Sequence, residues 1–182
     1  GSVAVIGGAA GMVGSVLLAA RAALYGGAGR IYAALLSENA PAVDFLQPEI
    51  MLRALDEIAQ LPQLNGLVIG PGLGQSIVAI KQLEYWVNQS VPIVLDADAL
   101  NLIANHTYLA TAVANRVSET VLTPHVGEAA RMLACNNETV TQNRLEIAIK
   151  LAKRFKATCV LKGAGTVIAQ DEDHYFINTS GN

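Results

Sequence analysis

Gly66-Leu67-Val68-Ile69-Gly70-Pro71-Gly72-Leu73-Gly74 is the stretch on which the fold turns. Gly66 to Ile69 reads as a short buried strand. Pro71 then fixes one backbone dihedral, and the glycines around it let the main chain pass close to another group. Helical spacing follows at once. In Gln75 to Val87 the residues Ile77, Ile80, Leu83 and Val87 share one face. Strand, glycine turn and amphipathic helix together are the building block of a parallel sheet.

The same unit recurs on both sides. Upstream, Ser2 to Ile6 is a strand, Gly7 to Gly14 a glycine-rich bend, Val16 to Leu24 a helix and Arg30 to Leu36 a second strand. Residues 37 to 47 read as loop, and Met51 to Ala59 as a helix closed by Pro62. Downstream, Pro92 to Leu95 is a fourth strand, and a fifth ends at Val121 and Leu122. A short helix over Glu128 to Leu133 and a longer one over Thr139 to Phe155 come next. Thr158 to Leu161 is a sixth strand. Val167 to Ala169 with Tyr175 to Ile177 predicts an antiparallel hairpin. The expected fold is α/β: a doubly wound, mostly parallel sheet with helices on both faces. Ligands in such sheets bind at the carboxyl ends of the strands.

Composition agrees. Hydrophobic residues make up 52% of the 182 and charged ones 15%, which favours strands buried on both faces over a disordered chain. A net charge of −3 provides no basic field for nucleic acid or an anionic membrane surface. No apolar run reaches the roughly 18 residues that span a bilayer. The first residues lack the charged region of a signal peptide, so the expected location is cytoplasmic. Cys135 and Cys159 have no metal-ligand spacing and read as reduced thiols in or near the core. The chain opens directly on a strand and stops on a loop, so residues 1–182 are expected to be one partial domain cut from a longer protein.

Five post-strand loops carry the polar residues. Gly8, Gly11 and Gly14 have the wrong spacing for a dinucleotide fingerprint, and the second strand ends Ala34-Leu35-Leu36 with no acidic residue. That loop permits either close approach of a ligand or plain packing. The Gly70 to Gly74 turn leads into a helix start with free N–H groups. Asp96 and Asp98 close an apolar strand. Asp96 is placed to hold a substrate hydroxyl or metal-bound water, and Asp98 to cap the helix beginning at Ala99. His125 and Glu128, three apart at a helix start, are expected to face one pocket. Lys162, Gly163, Ala164, Gly165 and Thr166 offer a cation, clustered N–H groups and a hydroxyl to phosphates. His106 reads as a polar loop residue and His174 as a hairpin tip.

In series, Gly70-Pro-Gly-Leu-Gly74, Leu95-Asp-Ala-Asp-Ala-Leu-Asn101, Thr123-Pro-His-Val-Gly-Glu128 and Leu161-Lys-Gly-Ala-Gly-Thr166 resemble the ADP- or ATP-dependent NAD(P)H-hydrate dehydratases of the ribokinase-like superfamily, over essentially the whole chain. The resemblance implies repair of hydrated NADH or NADPH. A nucleotide phosphorylates the ring hydroxyl, and loss of phosphate restores the dinucleotide. It implies Ser15, Gly72 and His125 on the hydrate, with Ser15 where the family usually has Ala. It implies Lys162 to Thr166 on the nucleotide phosphates and Asp96, Asn101 and Asn178 as further contacts. Glu128 would hold Mg2+ through water, and the assembly would be a homo-oligomer, a tetramer. The family's catalytic Asp lies in a Gly-Thr-Gly-Asp segment that would follow Asn182, so residues 1–182 alone are expected to be weakly active or inactive. Two other readings remain at this stage: a ribokinase-like kinase of a hydroxymethylpyrimidine or sugar, and a non-catalytic nucleotide-binding fragment.

Overall fold

A computed structural model describes residues 1–180. Seventeen elements follow in chain order: β1 (Ser2–Gly7), α1 (Val13–Tyr25), β2 (Arg30–Leu35), β3 (Met51–Leu52), α2 (Leu55–Ala59), β4 (Gly66–Ile69), α3 (Ile77–Val87), β5 (Ile93–Leu95), α4 (Asp98–Asn105), α5 (Thr107–Ala114), β6 (Thr120–Leu122), α6 (Val126–Leu133), α7 (Asn137–Gln142), α8 (Arg144–Phe155), β7 (Thr158–Leu161), β8 (Thr166–Ala169) and β9 (Tyr175–Asn178). They build one nine-stranded sheet in the order β3-β2-β1-β4-β5-β6-β7-β8-β9. Strands up to β7 run parallel; β7, β8 and β9 pair antiparallel.

Period-two alternation divides the sheet into two faces. Ile6, Ile69, Leu95, Leu122 and Leu161 are each fully buried against α3, α4, α6 and α8. Burying one such side chain contributes about 1.5–3 kcal/mol. On the other face α1 seals Val5, Ile31 and Ala33 through Val16 and Ala20. Past α1 that face stays open. Val68, Val94, Val121, Val160 and Ile168 are only half-buried, and Phe176 is 72% exposed. Parallel strands ordinarily have both faces covered.

Two sequence expectations change. Met51 to Ala59 is not one helix, because the backbone of Met51 and Leu52 pairs with Tyr32 and Ala33 and the Arg53 N–H donates to the Ala33 carbonyl at 3.0 Å. Strand pairing captures those residues before α2 can begin. The long helix expected over Thr139 to Phe155 is two helices, broken at Asn143 (φ −125°, ψ 41°). There the Asn143 side-chain amide shares the Thr139 carbonyl, at 3.0 Å, with the residue's own N–H at 3.2 Å, a local side-chain bond of the kind that favours helix ends. Cys159 lies fully buried, and desolvation pushes its thiol up to about 12, so it is core and not a nucleophile. Among the described residues no helix is long and apolar enough to cross a membrane.

Candidate functional site

The loops after β1, β4, β5, β6 and β7 stand side by side at the carboxyl edge of the sheet, and each is laced to the next. Gly8 and Ala9 donate their N–H groups to the carbonyls of Pro71 and Gly72, at 3.0 and 2.7 Å. The Asp98 N–H donates to the Gly70 carbonyl at 3.3 Å, and the Gly74 N–H to Asp98 Oδ2 at 2.8 Å. Thr123 donates its N–H to the Leu95 carbonyl at 3.1 Å and its hydroxyl to Asp96 Oδ1 at 2.7 Å. The Lys162 N–H donates to the Pro124 carbonyl at 2.8 Å, and its ammonium reaches Asp96 Oδ1 at 2.7 Å. Local sequence made each turn; these bonds align the turns into one rim.

At the β1–β4 end, Gly72 passes against the start of α1. A Cβ on Gly72 (φ +56°) would lie 2.5 Å from Ser15 Oγ and 2.6 Å from Met12 Cβ, so no larger residue fits without movement. Gly72 and Ser15 are therefore neighbours. The Ser15 hydroxyl donates to the Met12 carbonyl at 2.7 Å, which turns its proton into its own helix turn. Asp98 departs from its expected capping role. The residue preceding α4 is Ala97 at φ 48°, and Asp98 holds the Gly74 loop instead.

At the β6 end, His125 is the N-cap of α6. Its Nδ1 accepts the N–H of Gly127 at 2.9 Å and of Glu128 at 3.4 Å, while Glu128 Oε2 accepts the His125 N–H at 2.8 Å. This is a capping box with histidine in the serine position. Because Nδ1 accepts, the neutral ring carries its proton on Nε2, which faces Glu128 Oε1 at 3.3 Å. Nδ1 of His125 is taken up by the cap, so what the half-exposed ring offers a ligand is its face and its Nε2 edge. Glu128 is 4% exposed and its carboxylate serves the cap, which leaves it poorly placed to hold a metal-bound water. Among the described residues no group of three His, Cys, Asp or Glu is placed to hold a metal.

At the β7 end, the Lys162 to Thr166 turn is half-buried and Ala164 exposed. The Thr166 hydroxyl donates to the Gly163 carbonyl at 2.9 Å, so its proton closes the loop and is not free for a phosphate. Asn178 pairs in register with Thr166, and its side chain bonds Ser180. Asn101 stands apart from the lacing: its Oδ1 accepts from Arg131 Nε at 2.9 Å. The expected catalytic segment lies outside the described residues.

Sequence reading missed two contributors. Thr123 had the signal of a hydroxyl at a strand end. Arg144 gave no such signal, because it sat inside the helix expected over Thr139 to Phe155, and only the break at Asn143 puts it at a helix start. Its guanidinium donates to the carbonyls of Leu161 and Gly165 at 3.0 and 3.2 Å and approaches that of Lys162 at 3.4 Å. A recess of about 360 Å³ lined by Gln89, Tyr108 and Arg116 lies at the opposite, amino end of the strands. Backbone carbonyls consume its guanidinium, so it is structural.

Comparison with known proteins places the chain in a family. The family model for NAD(P)H-hydrate dehydratase matches residues 3–182. The chain is 38% identical, over 185 aligned positions, to the ADP-dependent (S)-NAD(P)H-hydrate dehydratase of Neisseria meningitidis, covering 100% of this chain and 62% of that protein. It superposes on the ADP/ATP-dependent NAD(P)H-hydrate dehydratase of Bacillus subtilis, co-crystallised with ATP/Mg2+, with a TM-score of 0.82 and 30% identity, covering 100% of this chain and 65% of that one. A ribokinase-like superfamily protein from Enterococcus faecalis matches with a TM-score of 0.84 and 26% identity, covering 100% and 64%. The chain thus spans less than two thirds of these relatives' lengths, along a mostly parallel ribokinase-like sheet. On the family match and the Neisseria relative together, the chain belongs to the NAD(P)H-hydrate dehydratase family.

Proposed function

We propose that these residues are the binding portion of a nucleotide-dependent NAD(P)H-hydrate dehydratase. One observation carries the reading: Asp96 Oδ1 joins the β5, β6 and β7 loops through Thr123 and Lys162. His125 on the β6 loop is thereby held beside a candidate phosphate side at Lys162 to Thr166, and Asp98 ties in the Gly70 to Gly74 loop that carries the rest of the candidate acceptor side, Gly72 and Ser15. ADP or ATP donates a phosphoryl group to the ring hydroxyl of hydrated NADH or NADPH. Phosphate then leaves as the C–O bond breaks, the adjacent ring carbon gives up a proton, and the ring double bond returns. The chain's part is to hold both reactants in register, where orientation and fixed donors supply most of the acceleration.

Asp96, Asp98 and Glu128, the carboxylates along the rim, are all committed to hydrogen bonds. In this reading the base that takes the hydroxyl proton comes from chain outside residues 1–182. The same flanking chain covers the open face from Val94 to Phe176. Residues 1–182 are then one partial ribokinase-like domain, binding but turning over weakly alone. Mg2+ fits as an ion carried by nucleotide phosphates and water, since the described residues provide no cage. The reading also carries a cytoplasmic homo-oligomer, a tetramer, without nucleic-acid or membrane partners.

The test supplies the full-length protein with hydrated NADH and either ADP or ATP, and follows the near-ultraviolet absorbance of the reduced nicotinamide. Recovery that requires nucleotide supports the proposal. Phosphorylation of a sugar or a hydroxymethylpyrimidine by ATP, with the hydrate untouched, would sink it.

A further inference from the structure

We propose that Arg144 is the positioning residue that shapes the Lys162 to Thr166 turn into an anion receptor; this deepens the function just proposed and rests on it. The N–H groups of Gly163, Ala164 and Gly165 donate to no acceptor among the described residues. Three successive N–H groups left free on a glycine turn form a concavity for a phosphate. Such a turn brings its carbonyls along, and their negative ends would repel the same anion. Arg144 removes them. Its Nη2 donates to the Leu161 carbonyl at 3.0 Å and the Gly165 carbonyl at 3.2 Å, and both terminal nitrogens lie 3.4–3.5 Å from the Lys162 carbonyl. The Thr166 hydroxyl takes the carbonyl of Gly163. Every carbonyl from Leu161 to Gly165 except that of Ala164 thus has a donor directed at it.

The turn is also cut to admit this guanidinium. Gly163 adopts φ +139°, and a Cβ there would come 2.9 Å from Arg144 Nη1. Only glycine both tolerates that dihedral and leaves the space. The break at Asn143 puts Arg144 in the first turn of α8, where a cation opposes the helix dipole. The backbone acceptors it gathers offset that cost. A half-buried guanidinium behind the turn adds a fixed positive charge beside Lys162. Lysine cannot take this place, because only a planar fork reaches several carbonyls at once.

The experiment measures ADP affinity by calorimetry, and steady-state KM for ADP and for the hydrate, in the full-length protein carrying Arg144→Met or Arg144→Lys. In Arg144→Met the ADP constants are expected to rise about tenfold, the loss of one charged-group hydrogen-bond set. The hydrate KM stays at the wild-type value, and Arg144→Lys recovers only part of the loss. A purely structural role would lower the active fraction, and so kcat, with both KM values unchanged. Wild-type ADP affinity in both variants, within about twofold, overturns the inference, as does an equal rise in both KM values. If Arg144→Met does not fold, Arg144→Lys decides on the same ratio. A wild-type protein that binds no ADP overturns the proposed function itself, which separates the two failures.

Discussion

The junction at Asp96 makes a quantitative prediction. Its Oδ1 accepts from Lys162 Nζ and Thr123 Oγ1, each at 2.7 Å. Geometry alone would suggest a strong charged pair. The side chains of Lys162 and Asp96 keep 42% and 27% of their exposure, however, so water screens the attraction. For such a pair the coupling is about 1 kcal/mol, near the top of the range for accessible ion pairs. Thr123 adds less, because its hydroxyl has a second acceptor in the Leu95 carbonyl at 3.3 Å. Asp96→Ala should then cost about 2 kcal/mol, and Asp96→Asn, which keeps an acceptor oxygen but no charge, about 1 kcal/mol. The assay is a double-mutant cycle of Asp96→Asn with Lys162→Met by urea denaturation, at low and high salt. The coupling should be near 1 kcal/mol at low salt and shrink as salt screens it. A coupling indistinguishable from zero at low salt would refute the claim that this pair binds the β5 and β7 loops together. A coupling insensitive to salt would refute the screening argument.

Two further perturbations probe polar clusters away from the rim. Arg116 caps the end of α3, donating to the carbonyls of Val87, Gln89 and Val91 at 2.6, 3.0 and 2.5 Å and to Thr120 Oγ1 at 3.0 Å, while burial lowers its pKa. Arg116→Met should cost about 2–3 kcal/mol in denaturant titrations, with Arg116→Lys recovering less than half because it lacks the fork; equal stability of the lysine variant and wild type would contradict this. Asp44, 3% exposed, is gripped by Arg21 through Nε at 2.8 Å and Nη2 at 2.6 Å, and those bonds hold its carboxyl below the ordinary range. A depressed carboxyl stabilises the fold above its unfolded pKa and loses that contribution as pH falls through the folded one. The Tm gap between wild type and Asp44→Asn should therefore be full at neutral pH and close only below about pH 4. A gap unchanged down through that acid range would remove the linkage.

Much of the architecture was legible in the residues. Gly66 to Gly74, Pro92 to Asn101 and Thr158 to Thr166 each show an apolar run ended by a glycine or aspartate turn, and each became a strand with its loop at the carboxyl edge. Where the reading failed, a competing hydrogen-bond partner, tertiary in one case and local in the other, opposed a helical pattern. Met51 and Leu52 carried a helical pattern, yet β2 offered them a ladder. Asn143 sat inside a helical pattern, yet its amide took the Thr139 carbonyl. Helix periodicity cannot report a backbone acceptor that arrives from elsewhere in the chain.

The site divides along the same line. Residue type and spacing alone put a histidine at a helix start, aspartates at a strand end and a lysine on a glycine turn, because turns and caps are local events governed by a few dihedrals and hydrogen bonds. Only the folded sheet decided how those groups are used. It set Asp98 on the Gly74 N–H, turned His125 Nδ1 into the cap of its own helix, and withdrew Glu128 into the core. It also brought Arg144 behind the Lys162 to Thr166 turn and Lys162 onto Asp96, partners separated by 18 and 66 positions in the chain. Such contacts depend on strand order and on where one helix breaks, and both are settled by burial of the whole sheet, not by any one segment.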